Sequence, residues 1–539
     1  MKIGRNLLLL LVPGLLSLGL PLAASSAAPT APVYTAYPVG FDAGEPSIGY
    51  DPRADAALFE SGTTTVRMSW DANNKLTTKD VSAPTSQTSL DAILFTDQAT
   101  HRTFVSQLVG ACSLSSYSDD AGATWNTSQG CGADVLLDHQ SVGSGPYRPG
   151  TAPPNAGLTG YPNAVYYCAQ NSYNGACARS DDGGTTFLPG VPTYNTPANA
   201  AGDVFGGSCS AIHGHIRVAP DGYAYLPNKG CGGTLTSGNL TNSEFFGGTP
   251  ALAVSPDNGV TWTVQKVNWP SDAHNPEQSD PSVAADKANT VYFGFQDGTN
   301  PSETEYATTT RAKVSVSDDH GKTWTKPYDL GTPLGLNNVE FPEVIAGSAG
   351  HAAMAFIGTK GIGDTQHKGF VGDWHLYIAT TADKGQTWTT VDTTPTTPLQ
   401  RGCISLQGTS NKTVADSKIC KQRNLLDFND ITLDKQGRVL AAYSVGCDAA
   451  CQGKPTSGSA GSVDMVMRET SGTTLLTAAD IAANARGNTP AGPAVTGGTP
   501  NTSAAPPAGT SAAPAAAAAG LLLLGAFYHH RRRRRPLPR

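Results

Sequence analysis

Eight acidic or histidine side chains stand at the openings of short, similar segments spread along the chain: Glu45, His213, His215, Asp280, Glu340, Glu343, Asp427 and Asp430. Such residue types support three chemistries. Paired carboxylates can do the acid/base work of glycoside hydrolysis. A histidine base can drive elimination from a polysaccharide. Carboxylate oxygens with imidazole can hold a divalent cation such as calcium, although no cofactor and no metal site is expected, since two histidines on one face need a third ligand. His213-Gly-His215 is the most pointed pair, because alternate residues of a strand face the same side. We expect His213, His215, Asp280, Glu343 and Asp430 to form the catalytic set. Glu45, Glu340, Asp427 and Arg423, which lies shortly ahead of the last segment, are expected to contact substrate. A plainer reading stands beside this one: polar residues at strand starts cap turns or face water. Asp373-Trp374-His375 is open to either reading, as loop lining or strand packing.

The elements that must position these residues are repeats. Glu45-Pro-Ser-Ile-Gly-Tyr50, Tyr161-Pro-Asn-Ala-Val-Tyr166, Asp280-Pro-Ser-Val-Ala-Ala285 and Phe341-Pro-Glu-Val-Ile-Ala346 share one shape, and segments 213–218 and 428–433 are looser copies. Several run on through a tight turn into a second strand. Interleaved with them is a motif that recurs five times. Its copies are Ser118-Asp-Asp-Ala-Gly-Ala-Thr-Trp125, Ser180-Asp-Asp-Gly-Gly-Thr-Thr-Phe187, Ser255-Pro-Asp-Asn-Gly-Val-Thr-Trp262, Ser317-Asp-Asp-His-Gly-Lys-Thr-Trp324 and Thr381-Ala-Asp-Lys-Gly-Gln-Thr-Trp388. The Asp carboxylate accepts turn amides, the Gly permits a left-handed backbone, and the Thr and aromatic ring begin a strand that packs between sheets.

Units about 40 to 60 residues apart, each holding several strands, predict an all-β chain folded as a single β-propeller. We expect seven blades, near 45–88, 89–150, 157–195, 210–268, 278–330, 338–395 and 425–472, or six if the first two merge. A strand at 33–37 is expected to complete the last sheet and close the ring. Inner strands begin at the channel mouth, so the eight side chains should gather around one opening.

The five copies resemble the Asp-box, or BNR, repeat of the sialidase-like superfamily, which includes sialidases, sortilin-type receptors and xyloglucanases. The resemblance covers roughly residues 40–470. It implies a propeller whose Asp boxes lie on the face away from the functional site. A sialidase would also carry an Arg-Ile-Pro motif at its first inner strand and an arginine triad for the substrate carboxylate. Here the matching position reads Glu45-Pro46-Ser47, and a carboxylate there repels an anionic sugar.

Composition and the chain ends frame the function. Residues 1–28, with Lys2, Arg5, an apolar run and a small-residue exit, read as a secretory signal peptide, followed by the propeller over 29–475. Residues 487–514 are a linker rich in Pro, Ala, Thr and Gly, and 515–539 form a hydrophobic anchor or sorting tail ending in an arginine cluster. Eight of the 36 basic residues lie in those two ends and no acid does, which leaves 28 basic residues against 43 acidic ones and a body charge of −15. Such a body excludes nucleic acid as partner. Ten cysteines in an exported protein suggest local disulfides, at 112–131, 168–177, 209–231, 403–420 and 447–451. The sequence thus describes a monomeric, secreted or cell-surface propeller, held at the membrane by its C-terminal tail. It acts on an extracellular glycan or polysaccharide as a glycosidase-type protein, or binds glycan or protein without catalysis.

Overall fold

The computed structural model describes residues 1, 31–41, 43–87, 89, 91–109, 112–129, 138–170, 175–194, 208–210, 212–235, 245–246, 249–267, 279–298, 308–406, 420, 423–446 and 462–487. The signal segment, most of the linker, the tail and the Cys112–Cys131 and Cys447–Cys451 pairings lie outside them. Among the described residues no helix is long and apolar enough to cross a membrane.

Seven antiparallel sheets, each one blade, follow one another around a channel. Their inner strands are Ser47–Asp51, Ala92–Asp97, Asp138–Pro146, Arg217–Val218, Ser282–Ala285, Asn338–Ala346 and Asp430–Leu433. Each inner strand packs beside the next, and the seventh returns to the first. The ring is closed by Val33–Pro38, which pairs antiparallel with Val463–Ser471 and so supplies the outer strand of blade 7. An N-terminal strand in the last sheet means that neither end can fray without opening the ring.

One segment is assigned differently from the sequence reading. Tyr161–Tyr166 does not open an inner strand. It leads into Asn163–Gln170, the second strand of blade 3, which pairs with the inner strand Asp138–Pro146. The reason is local: a turn ending in Tyr-Pro starts either strand equally well, whereas Gln140-Ser-Val-Gly-Ser-Gly has no proline and little apolar bulk. Blade 2 accordingly ends near Thr127 and blade 3 begins at Asp138.

The Asp boxes join the third and fourth strands of blades 2 to 6. In the fourth copy Asp319 Oδ1 accepts from the Thr323 amide at 2.8 Å, and Oδ2 accepts from the Thr323 hydroxyl at 2.6 Å. His320 and Gly321 take positive φ to make the turn, and Trp324 packs edge-on against Phe293. Registers fix which face this is. In blade 6, Thr381 opposes Ala352, which opposes Ala346 at the far end of the inner strand. The boxes therefore lie opposite the channel mouth.

Two disulfides, Cys168–Cys177 and Cys209–Cys231, join directly paired residues toward the mouth-side ends of blades 3 and 4, with Cα separations of 4.1 and 3.8 Å. The expected Cys403–Cys420 bond is not formed; the two buried thiols meet in a hydrogen bond instead.

Candidate functional site

Every blade delivers an ionisable side chain to the channel mouth. Those placed just ahead of, or at, the inner-strand starts are Glu45 of blade 1, Asp91 of blade 2, His139 of blade 3, Asp280 of blade 5 and Asp427 of blade 7. They form an outer layer. His139 Nδ1 stands 3.1 Å from Asp280 Oδ2. Glu45 hydrogen-bonds Asp427, whose two oxygens accept a fork from the Arg423 guanidinium.

The environment drives the two carboxyls of that pair apart. Burial raises the Glu45 carboxyl well above its usual value, and the negative charges of Asp427 and Asp91 raise it further. Burial alone would raise Asp427 too, but the Arg423 charge and hydrogen bonds outweigh it and hold that group below the ordinary range, with help from His139. The proton of the pair therefore resides on Glu45, and Asp427 is the anion.

Deeper in the channel lies a second layer of His215 and Arg217 from blade 4, Glu343 from blade 6 and Asp430 from blade 7. His215 Nδ1 is 3.4 Å from Glu343 Oε1, and Arg217 Nη2 is 3.2 Å from that oxygen and 3.6 Å from Asp430 Oδ1. The His215 ring also meets Phe428 edge-on at 4.8 Å between centroids. Asp430 is tied down by backbone amides: Ile48 N donates to Oδ2 and Ile431 N to Oδ1, both at 2.8 Å. Burial pushes Glu343 up to about 8, with Arg217 opposing, and Asp430 up to about 6, with His215 and Arg217 opposing. Burial pushes His215 down to about 4, against the pull of Asp430. Near neutral pH this floor is thus a neutral imidazole and a protonated Glu343 beside an Arg217–Asp430 ion pair.

Local backbone features aim these groups. In blade 6 a bulge between Glu340 and Glu343, with Phe341 at φ 57°, sets their partners at Ile357 and Ala355, so both side chains point to one side of the sheet. The inner strand of blade 3 has its own irregularity between Asp138 and Ser141, with His139 at φ 46°. Glu45 and Leu426 also take positive φ, at 53° and 59°. These four residues gather at the mouth, whereas positive-φ residues such as Ala121, Asn258, His320 and Lys384 serve Asp-box turns on the other face. Strain held by non-glycine residues costs about 1–3 kcal/mol each and collects at functional sites. Gly214 answers a different demand: a Cβ there would lie 1.8 Å from the Pro281 carbonyl oxygen, so only glycine lets blades 4 and 5 close up between the two histidines.

The structure brings together Glu45, Arg423, Asp427, Asp280, His215, Glu343 and Asp430, as the sequence predicts. His213 lies buried beside the cluster: its Nδ1 is 2.9 Å from the Gly214 carbonyl oxygen, burial pushes it down to about 3, and the charges of His139 and His215 lower it as well. Glu340 is occupied by the donors Ser279 Oγ, Gln296 Nε2 and Thr365 Oγ1, and so braces the mouth. Sequence reasoning missed His139, Asp91 and Arg217. Arg217 was reachable, since it continues the alternation of His213 and His215. His139 was not, because its strand has neither the proline that opens those of blades 1, 5 and 6 nor the apolar alternation of the looser copies.

His215, Glu343 and Asp430 offer three ligand atoms within 4.8 Å of one another. They do not fit calcium, which takes six to eight oxygens. Arg217 already serves as the cation between the two carboxyls.

The BNR/Asp-box repeat model matches residues 315–326, which contain the fourth box. No curated protein matches the sequence. Among solved structures, a polysaccharide lyase, an ulvan lyase bound to -[GlcA(1-4)Rha3S]-, shares 7% identity over 83% of this chain and 99% of its own, with a TM-score of 0.41. The Aleuria aurantia lectin in complex with Fucalpha1-6GlcNAc shares 10% over 63% of this chain and 92% of its own, with a TM-score of 0.36. The Penicillium chrysogenum alpha-L-arabinanase complexed with arabinobiose shares 12% over 64% and 95%, with a TM-score of 0.32. Likeness at this level says nothing about the chemistry of the mouth.

Proposed function

We propose that this chain is an exported, surface-displayed propeller that acts on extracellular glycan by acid/base chemistry at its channel mouth. The observation that carries the proposal is the Glu45–Asp427 pair, one carboxyl protonated and its hydrogen-bonded partner ionised, at the rim of the channel. Two carboxyls driven apart in this way supply a proton donor beside an anion at one pH; bonded to each other they stand too close to flank a glycosidic bond as donor and base, so the base has to be a third group. His139, held by Asp280, stands beside them in the position of an oriented base. In the reaction Glu45 gives its proton to the leaving sugar oxygen, and His139 takes one from the attacking water. Arg423 keeps Asp427 ionised and in place.

His215, Glu343 and Asp430, expected from sequence as catalytic, act in this reading as the buried floor that holds the mouth in shape. The acidic body favours a glycan without strong negative charge and disfavours nucleic acid. Secretion by residues 1–28 and retention at the membrane by 515–539, with the propeller as an outward-facing monomer, belong to the same proposal.

A second reading, recognition without cleavage, is favoured by the commitment of Asp430 to two backbone amides and of Glu340 to three side-chain donors. One experiment separates the two: glycan-array binding of the purified exported body, with product analysis of every glycan retained. Products from a retained glycan support cleavage. Retention without products supports recognition, and no retention at all removes glycan as the ligand.

A further inference from the structure

Outside the channel, the mouth face carries a cleft of about 570 Å³ on blade 6. Its place follows from the registers. Thr359 opposes Asn338 at the start of the inner strand, and Tyr377 opposes Asp392 at the outer edge, so the cleft lies at the mouth end of the blade. One wall comes from Leu334, in the connection from blade 5, and another from the loop holding Lys360 and Val371. His375, Asp392 and Pro395 complete it. The volume falls in the range of about 300–1,000 Å³ typical of small-ligand sites.

The polar groups of the cleft are held in place by their neighbours. His375 Nδ1 donates to the Thr394 carbonyl oxygen at 2.7 Å and lies 3.7 Å from Asp392 Oδ1. A carbonyl can only accept, so Nδ1 carries a proton, and Nε2 is the ring nitrogen left to meet a ligand. Asp392 in turn accepts from the Thr394 amide at 3.0 Å and from the Tyr377 hydroxyl. Lys360 is exposed at the rim as a donor. Beside these groups the apolar surface is open: Val371 is 83% exposed and Leu334 37%. Fixed acceptors, a cationic donor and an apolar wall within one cleft match a ring that has hydroxyls on its edge and C–H groups on its face.

We propose that this cleft is an outlying subsite for a neutral glycosyl residue, and that the ligand of the protein is therefore a polysaccharide whose chain runs from the channel mouth outward over blade 6. The inference rests on the reading of the mouth as a glycan site and adds the substrate class to it. A chain held at both points gains affinity from the second contact without any change at the first.

The test is affinity electrophoresis of the full exported body in gels containing neutral polysaccharides, namely arabinoxylan, galactomannan, mannan and mixed-linkage glucan, with trisaccharides from each as competitors. Lys360→Ala and Val371→Asp alter exposed side chains and spare the fold; His375→Ala is added as the interior variant. At least one polymer is expected to retard the parent. The Lys360→Ala/Val371→Asp double variant should bind that polymer about tenfold more weakly, while trisaccharide binding at the mouth stays unchanged. Equal retardation of parent and double variant would overturn the cleft proposal and leave the mouth reading standing. If the parent binds neither polymers nor trisaccharides, both fall.

Discussion

His139 Nδ1 lies 3.1 Å from Asp280 Oδ2, although the two residues belong to blades 3 and 5 and blade 4 stands between those blades. The contact spans the mouth above His215, whose ring charge is influenced by both residues. A carboxylate in this relation fixes the orientation of an imidazole and stabilises its protonated form. It needs no rearrangement to do so, because His139 sits on an inner strand and Asp280 just ahead of one, and the closed ring holds both strands.

Asp280→Asn removes that hold and leaves the shape nearly unchanged. Turnover of the glycan identified on the array should fall about 100-fold, at the low end of what general acid/base groups contribute, with KM nearly unaffected. Thermal unfolding should shift little. A fall in affinity with undiminished kcat would make Asp280 a binding group instead.

The buried acids set a pH dependence of stability. Burial raises Glu343 and Glu60 to about 8 and Glu340 and Glu469 to about 7. The folded state therefore binds more protons than the unfolded one between roughly pH 4.5 and 8, and stability falls as pH rises through that window. His213 and His215, lowered by burial to about 3 and about 4, act in the opposite sense, but only below about pH 6.5. Between pH 6.5 and 8 the acids alone remain. Tm should decline over that interval, and Glu343→Gln should flatten the decline. A Tm that rises from pH 6.5 to 8 would contradict these assignments.

Asp319 belongs to the opposite face. It accepts from the amide and hydroxyl of Thr323 and from Ser317, and these bonds hold it below its ordinary value against the effect of burial. Asp319→Ala should lower stability by about 1–2 kcal/mol, the loss of a small network of turn hydrogen bonds, and leave glycan binding and turnover intact. Lost activity in a folded variant would place function on the box face.

Cys403 and Cys420 sit thiol to thiol in the core cluster that contains Phe341, Trp374 and Leu399. Ile404 N donates to the Thr365 carbonyl and Cys420 N to the Gln366 carbonyl, so both cysteines flank the loop that braces Glu340. The structure holds them as thiols; the export proposed above, into an oxidising compartment, should convert them to a disulfide. Non-reducing peptide mapping of the secreted protein should find the linked pair; alkylation of both cysteines in denatured, unreduced protein would exclude it.

The fold was legible because each residue of an Asp box has a turn-making role that its type alone reveals. Ser317, Asp319 and Gly321 shape the turn and Trp324 packs it against Phe293. The mouth was legible where an inner strand opens with a proline, as at Glu45-Pro46, Asp280-Pro281 and Phe341-Pro342. It was hidden in blade 3, where Asp138-His139-Gln140 has no such mark. The two-layer arrangement was hidden as well. It depends on the bulges at 138–141 and 340–343 and on how far Arg217 reaches across the channel, none of which local sequence states.

Glu45 is the proposed proton donor of the channel mouth. Product release from the array-identified glycan by the parent and by Glu45→Gln, followed as new reducing ends per enzyme per second, is the decisive experiment. The parent should show measurable release, and the folded variant should lose about 100-fold or more of it with binding retained. Equal release by the two proteins, or a parent that binds the glycan and never cuts it, would contradict the claim.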